Sequence, residues 1–192
     1  MDHGPVPPGW DENPTAWPKR LSFAARAFVG LCIATYLTLY QVGVFSNVWE
    51  PFFGSGSREV LTSAFSRSLP VPDASLGALA YLTELVLSFI GGRDRWRTMP
   101  WTTLVLGFVV GFGAVVSILL MIVQPVVVGA WCTLCLASAF VSLTLVGPGM
   151  EELLATLQHL KRVRADGRPV WQALWGSGDG SAPVQAFRKG SD

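Results

Sequence analysis

Two cysteines in the stretch Trp131-Cys132-Thr-Leu-Cys135 are the residues with the most distinctive chemistry in this chain. Three positions apart on a helix, they share a face, and their sulfur atoms can approach each other. One thiolate can attack a substrate disulfide while the second resolves the mixed disulfide, which gives a reversible two-electron couple. The spacing alone leaves two interpretations open, namely thiol-disulfide exchange and simple packing of two small apolar side chains.

A metal site is the other common use of closely spaced cysteines. Zinc requires about four ligands, and the remaining candidates are scattered over separate segments of the chain, at Cys32, His3 and His159. We therefore expect no metal site. Cys32 lies in an apolar stretch without a partner in sequence, and we expect it to serve in packing.

Four long apolar stretches must position the cysteine pair, and they occupy residues 21–45, 74–91, 101–124 and 126–146. The chain is 51% hydrophobic and only 14% charged. About 20 apolar residues are needed to cross a bilayer core, and without water each span must satisfy its backbone internally, as a helix does. We predict an all-α integral membrane protein whose domain, residues 19–148, is a bundle of four transmembrane helices.

The segments outside this bundle differ in character. Residues 1–18 are rich in proline and polar side chains and predict a disordered tail, and residues 168–192 predict a flexible one. Residues 149–167 carry leucines at helical spacing, which predicts an amphipathic helix on the cytoplasmic leaflet; docking to a partner protein is the alternative.

Basic residues cluster on one side of the predicted bundle. They precede the first span, fill the second connection and follow the fourth span: Lys19, Arg20, Arg26, Arg93, Arg95, Arg97, Lys161, Arg162, Arg164 and Arg168. By the positive-inside rule both termini are cytoplasmic and the 46–73 loop lies outside, in a bacterial inner or plasma membrane. The net charge of +1 gives no indication of a nucleic-acid partner.

The same orientation predicts the depth of the cysteine pair. A fourth helix that starts near Val126 would place Cys132 on the order of 10 Å inside the outer face. The pair would then lie toward an oxidising compartment, where disulfides persist. The outer loop would cover it.

Two charged residues lie within the apolar stretches. We expect Arg26, near the inner end of the first stretch, to extend to the lipid headgroups. A buried carboxylate is costly in a membrane, and we expect Glu84 to pair with Arg93 or Arg95 toward the cytoplasmic side.

Several separate segments resemble the vitamin K epoxide reductase family, membrane enzymes that couple disulfide formation or reduction to a quinone. The Trp131–Ala139 stretch is similar to the family's redox centre, and Ser57-Arg-Glu-Val-Leu-Thr-Ser63 to its half-buried outer helix. The stretch from Pro70 to Gly77 resembles the family's entry to the second span, and Arg93-Asp-Arg-Trp96 its cytoplasmic link. These segments occur in the family's order.

The resemblance implies four helices around a quinone of the ubiquinone or menaquinone type, with a short half-helix in the outer loop. It implies that Cys135 gives electrons to the quinone and that Cys132 exchanges with an incoming thiol. The residues that match quinone-contact positions are Val60, Leu61, Ser63, Asp73, Gly77 and Ala139. A carboxylate at Asp73 can donate a hydrogen bond only when it is protonated.

One departure from the family pattern concerns the outer loop. Family members usually carry two more cysteines there, but Ser57 stands where the second would be and Trp49 lies near the place of the first. Only sulfur forms a mixed disulfide, so Ser57 cannot relay electrons. Either a thioredoxin-like partner reaches Cys132 directly, or the substrate is a small thiol, or the relay is lost.

Two functions remain as hypotheses. The first is a thiol-disulfide oxidoreductase that couples the Cys132–Cys135 pair to a membrane quinone. The second is a non-catalytic quinone-binding or scaffolding subunit that keeps the fold.

Overall fold

The computed structural model describes residues 6–63, 66 and 71–175. Within these ranges every regular element is helical. The elements are α1 (Trp17–Gln41), α2 (Gly56–Leu61), α3 (Asp73–Phe89), α4 (Arg95–Thr98), α5 (Pro100–Val123), α6 (Thr133–Ala165) and α7 (Val170–Leu174). A π-helical turn, Gln124–Val128, follows α5 directly.

Three helices are long and apolar enough to cross a membrane: α1, α5 with its π turn, and α6. This agrees with the predicted all-α membrane protein. The helix α3 has 17 residues, which corresponds to about 25 Å at the α-helical rise. Three of the four predicted spans therefore have spanning length, and α3 is shorter.

The bundle core lies where α1 meets α3 and α6 and where α5 meets α6. Small residues on α1, Ala27, Gly30 and Ala34, allow α3 to approach closely. A Cβ atom at Gly30 would overlap the ring of Tyr81 on α3. Tyr81 thus fills the centre of the bundle.

The start of the fourth long helix corrects the prediction. Val126 belongs to the π turn, which ends at Gly129 in the left-handed conformation with φ of 73°. A left-handed glycine is a common helix terminator. The helix α6 begins at Thr133, so Cys132 is its N-cap residue and does not lie on the order of 10 Å along a helix.

The end of α6 also differs from the prediction. The helix continues through Pro148 to Ala165, so the segment predicted as a separate amphipathic helix, 149–167, lies largely in its second half. Proline lacks the N–H that would bond the Thr144 carbonyl oxygen. Arg26 Nη1 donates to that oxygen at 2.7 Å instead. Arg26 therefore bonds the neighbouring helix α6. This differs from the prediction that its side chain extends to the lipid headgroups.

The N-terminal segment, predicted to be disordered, makes specific contacts at its end. Asn13 and Thr15 are buried. The Asn13 side chain donates to the Arg93 carbonyl oxygen at 2.8 Å, and the Thr15 N–H donates to Asn13 Oδ1 at 3.0 Å. Residues 1–5 and 176–192 of the two predicted tails lie outside the described residues.

We call the region around residues 13–20, 87–97 and 152 the arginine end. Arg20 donates to the carbonyl oxygens of Ser88, Ile90 and Gly91, all at the C-terminus of α3. Arg95 donates to the Ile90 carbonyl oxygen at 3.1 Å and forms a buried ion pair with Glu152.

This pairing bears on the expectation for Glu84. Arg95 pairs with Glu152 and not with Glu84. Within the part of the chain that the structure describes, Glu84 Oε2 is buried and has no hydrogen-bond partner.

Candidate functional site: a disulfide at a helix N-terminus

Cys132 and Cys135 form a disulfide, with their Cα atoms 5.2 Å apart. Cys132 has an extended backbone and is the N-cap of α6, and its sulfur accepts a hydrogen bond from the Cys135 N–H at 3.1 Å. Its relative exposure is 0%, whereas Cys135 is partly exposed. The two sulfur atoms therefore lie in different surroundings.

Gln124 fixes the backbone that leads into the disulfide. This buried side chain accepts a hydrogen bond from the Cys132 N–H at 2.9 Å. The backbone carbonyl oxygen of Gln124 accepts from the Ala130 N–H at 3.3 Å. Together with the left-handed Gly129, these bonds close the 124–132 turn and present Cys132 at the start of α6.

Glu50, in the loop after α1, binds the same helix N-terminus. Its carboxylate accepts from the Thr133 N–H at 3.0 Å, from the Thr133 hydroxyl and from the Ser57 hydroxyl. The backbone N–H groups of Phe52 and Phe53 donate to it at 3.3 Å. We call these interactions the Glu50 clasp.

The clasp holds Glu50 in its ionised form. Partial burial works against ionisation, but the hydrogen bonds from Ser57, Thr133 and Phe52 outweigh it and lower the pKa of Glu50 to about 2. A carboxylate with this pKa is charged throughout the physiological range. The clasp thus holds a negative charge on Thr133, the residue that follows Cys132.

The short helix α2 completes the cover over Cys132. A Cβ atom at Gly56 would overlap the Trp131 carbonyl oxygen, so α2 approaches the disulfide segment backbone to backbone. The rings of Phe53 and Trp131 pack with their centroids 6.4 Å apart. Cys132 is fully buried, and we interpret α2 and the loop before it as its cover.

The sequence model of the vitamin K epoxide reductase family matches residues 21–147, which run from α1 into α6 and include both cysteines. The chain belongs to the vitamin K epoxide reductase family. This confirms the resemblance, and membership indicates a membrane thiol oxidoreductase. Members generally use a quinone as electron partner. Among curated proteins, none matches the chain.

Two of the residues predicted to contact a quinone, Leu61 and Asp73, are connected through the Gln41 side chain. Asp73, the first residue of α3, accepts hydrogen bonds from the Gln41 side chain and from the Ser66 hydroxyl. Gln41 also donates to the Leu61 carbonyl oxygen at 3.3 Å. Gln41 thus connects Asp73 to the end of α2, and Asp73 acts as an acceptor.

The other predicted contact residues are more dispersed. Gly77 faces α1, where a Cβ would lie 3.9 Å from that of Ala34. Val60 and Ser63 are partly exposed at the end of the loop helix. Ala139 is buried on α6, one helical turn beyond Cys135.

Sequence reasoning missed three residues that shape this site. Glu50 and Gln124 belong to no sequence motif, because each contacts the start of α6 only after the chain has folded. Tyr81 had a signal, as the single tyrosine of the apolar stretch 74–91. Its hydroxyl donates to the Ser138 carbonyl oxygen at 2.6 Å, three residues after Cys135.

Proposed function

We propose that this protein is a membrane thiol-disulfide oxidoreductase that couples Cys132 and Cys135 to a quinone of the ubiquinone or menaquinone type. A substrate dithiol reduces the Cys132–Cys135 disulfide and becomes a disulfide itself. The resulting Cys132–Cys135 dithiol closes again as two electrons and two protons pass to the quinone, which becomes a quinol. The observation that supports this most is the disulfide at the N-terminus of α6.

The unequal surroundings of the two sulfurs suggest their roles. Cys132 lies directly under the loop and exchanges with the substrate thiol when the loop opens. Cys135 lies one turn before Ala139 on α6 and gives electrons to the quinone. The proposed quinone contacts are Val60, Leu61, Ser63, Asp73, Gly77 and Ala139. Asp73 accepts a hydrogen bond from the Gln41 side chain and so helps to hold it in place.

We further propose that α3 is the fourth span. Its large exposed side chains are apolar and suit contact with lipid: Leu76, Leu79, Leu82, Val86 and Phe89. The clustered basic residues favour cytoplasmic termini and an outward-facing disulfide. In that orientation a separate extracytoplasmic thioredoxin-like protein, or a small thiol, is the substrate.

The test is the redox state of the pair in isolated membranes. Membranes are treated with a dithiol and then with a soluble quinone analogue, and free thiols are tagged and counted on gels. In a Cys32→Ser background, we expect two thiols after the dithiol and none after the quinone. Cys132→Ser and Cys135→Ser should each abolish quinone reduction, while Cys32→Ser alone should retain it.

The full burial of Cys132 supports one competing function, a non-catalytic quinone-binding or scaffolding subunit. Under that hypothesis the pair stays oxidised after dithiol treatment, and Cys132→Ser leaves thiol oxidation by the membranes unchanged. Either result would contradict the oxidoreductase proposal.

A further inference from the structure

We infer that Glu50 is a positioning residue that makes the Cys132 thiolate less stable and so biases the pair toward the disulfide. This inference deepens the proposed function, because the stability of the disulfide sets how readily the reduced pair gives up electrons. It rests on the Glu50 clasp and on the burial of Cys132.

The first step concerns which groups satisfy the N-terminus of α6. Three acceptors share its first turn. Gln124 binds the Cys132 N–H, Glu50 binds the Thr133 N–H, and the Cys132 sulfur binds the Cys135 N–H. Glu50 therefore occupies an anion position at this helix start, on the N–H of the residue that follows the N-cap Cys132.

The second step concerns charge. A helix N-terminus favours a nearby anion, and a cysteine there ordinarily has a lowered pKa and a stabilised thiolate. At α6 that place already holds the Glu50 carboxylate, ionised at neutral pH. A second anion on Cys132 meets like-charge repulsion, which raises the pKa of a thiol. The carboxylate thus offsets the effect of the helix on Cys132.

The third step concerns shielding. Repulsion between charges is weak in water and stronger where solvent is excluded. Cys132 is fully buried, and so is Ser57, whose hydroxyl donates to the Glu50 carboxylate. Glu50 itself is partly exposed, so the repulsion acts between one partly screened charge and one fully buried sulfur.

The experiment titrates Cys132 in a Cys32→Ser/Cys135→Ser background, by following its alkylation rate against pH in membranes. The midpoint reports the pKa of the thiol, and the plateau rate at high pH reports its accessibility. We expect Glu50→Gln to lower the midpoint by about one unit, and the plateau rate to rise. Glu59→Gln is the matched control, since Glu59 is exposed on α2, carries the same charge and accepts a hydrogen bond from the Ser55 hydroxyl, with no bond to α6 among the described residues.

A second pair of variants separates charge from shape. Glu50→Asp and Glu50→Asn are both one methylene shorter and differ only in charge. We expect the midpoint of Cys132 alkylation to lie at a lower pH in Glu50→Asn than in Glu50→Asp, although both substitutions loosen the loop over Cys132. Equal midpoints for Asp and Asn, or an equal shift in Glu59→Gln, would overturn the inference.

With both cysteines present, the charge of Glu50 should also change the equilibrium between the disulfide and the dithiol. At a pH above the midpoints, Glu50→Gln should make the disulfide about tenfold easier to reduce by dithiothreitol, which corresponds to about 30 mV. Neither measurement uses a quinone. A pair that responds to Glu50→Gln but not to quinone would contradict the proposed function alone, and the reverse would contradict this inference alone.

Discussion

The two ends of the molecule satisfy helix termini with opposite charges. At the cysteine end, formed by residues 50–61 and 124–135, one carboxylate binds the N-terminus of α6. At the arginine end, two guanidinium groups bind the last carbonyl oxygens of α3. Both arrangements match the helix dipole, which is positive at the N-terminus and negative at the C-terminus.

The two ends differ in how firmly these charges are held. Arg20 and Arg95 are 2% and 1% exposed, and each bonds several carbonyl oxygens within the bundle. Glu50 is partly exposed and belongs to a loop with exposed aromatic side chains, including Phe52 and Trp49. We interpret the arginine end as the fixed frame and the cysteine end as the part that opens.

The largest effect is expected at the arginine end. Arg95→Ala leaves the Glu152 carboxylate buried without its partner, and breaking a buried ion pair in this way costs about 3–5 kcal/mol. Thermal unfolding in detergent micelles should show a large loss of stability. Arg97→Ala is the control, because its ion pair with Asp94 is exposed and should contribute about 1 kcal/mol or less. Equal losses for the two variants would contradict a fixed frame.

An intermediate effect is expected at the cysteine end. Gly56→Ala introduces a methyl group against the Trp131 carbonyl oxygen, which should displace α2 at a cost of about 1–3 kcal/mol. In the reduced protein, alkylation of Cys132 should become faster because the cover moves, and the loss of stability should be smaller than in Arg95→Ala. Gly147→Ala is the control, since a Cβ there meets no atom within 4 Å. Unchanged Cys132 reactivity in Gly56→Ala would contradict the role of α2 as a cover.

The contrast between the ends also explains what could be predicted from sequence. Helical class, membrane character and the approach of the Cys132 and Cys135 sulfurs follow from hydrophobic length and local spacing, which a single chain displays. The prediction that the fourth helix starts near Val126 is wrong because the apolar residues of the π turn continue the apolar pattern of α6. The left-handed conformation of Gly129, which ends the turn, is visible only in the structure. Glu50 could not be found, because its partners Ser57 and Thr133 come together only in the folded chain.

The smallest effect is expected between the two ends, where Arg26 bonds the Thr144 carbonyl oxygen that Pro148 leaves free. Arg26→Ala removes that donor, at a cost of about 1 kcal/mol for one hydrogen bond. Pro148→Ala restores a backbone N–H for the same oxygen, so it should make the loss of Arg26 less costly. Unfolding midpoints of the wild type, both single variants and the double variant form a cycle that isolates this dependence.

In that cycle, strict additivity would mean that Arg26 stabilises the bundle in some other way, for example by contact with headgroups. A positive coupling would show instead that a guanidinium group replaces a missing backbone donor inside α6. The same physical rule would then apply to three arginines of the bundle, Arg20, Arg26 and Arg95: each satisfies carbonyl oxygens that a helix cannot satisfy itself. At the cysteine end, by contrast, the charge at the helix terminus is the negative Glu50, and it belongs to a loop that we expect to move away from α6.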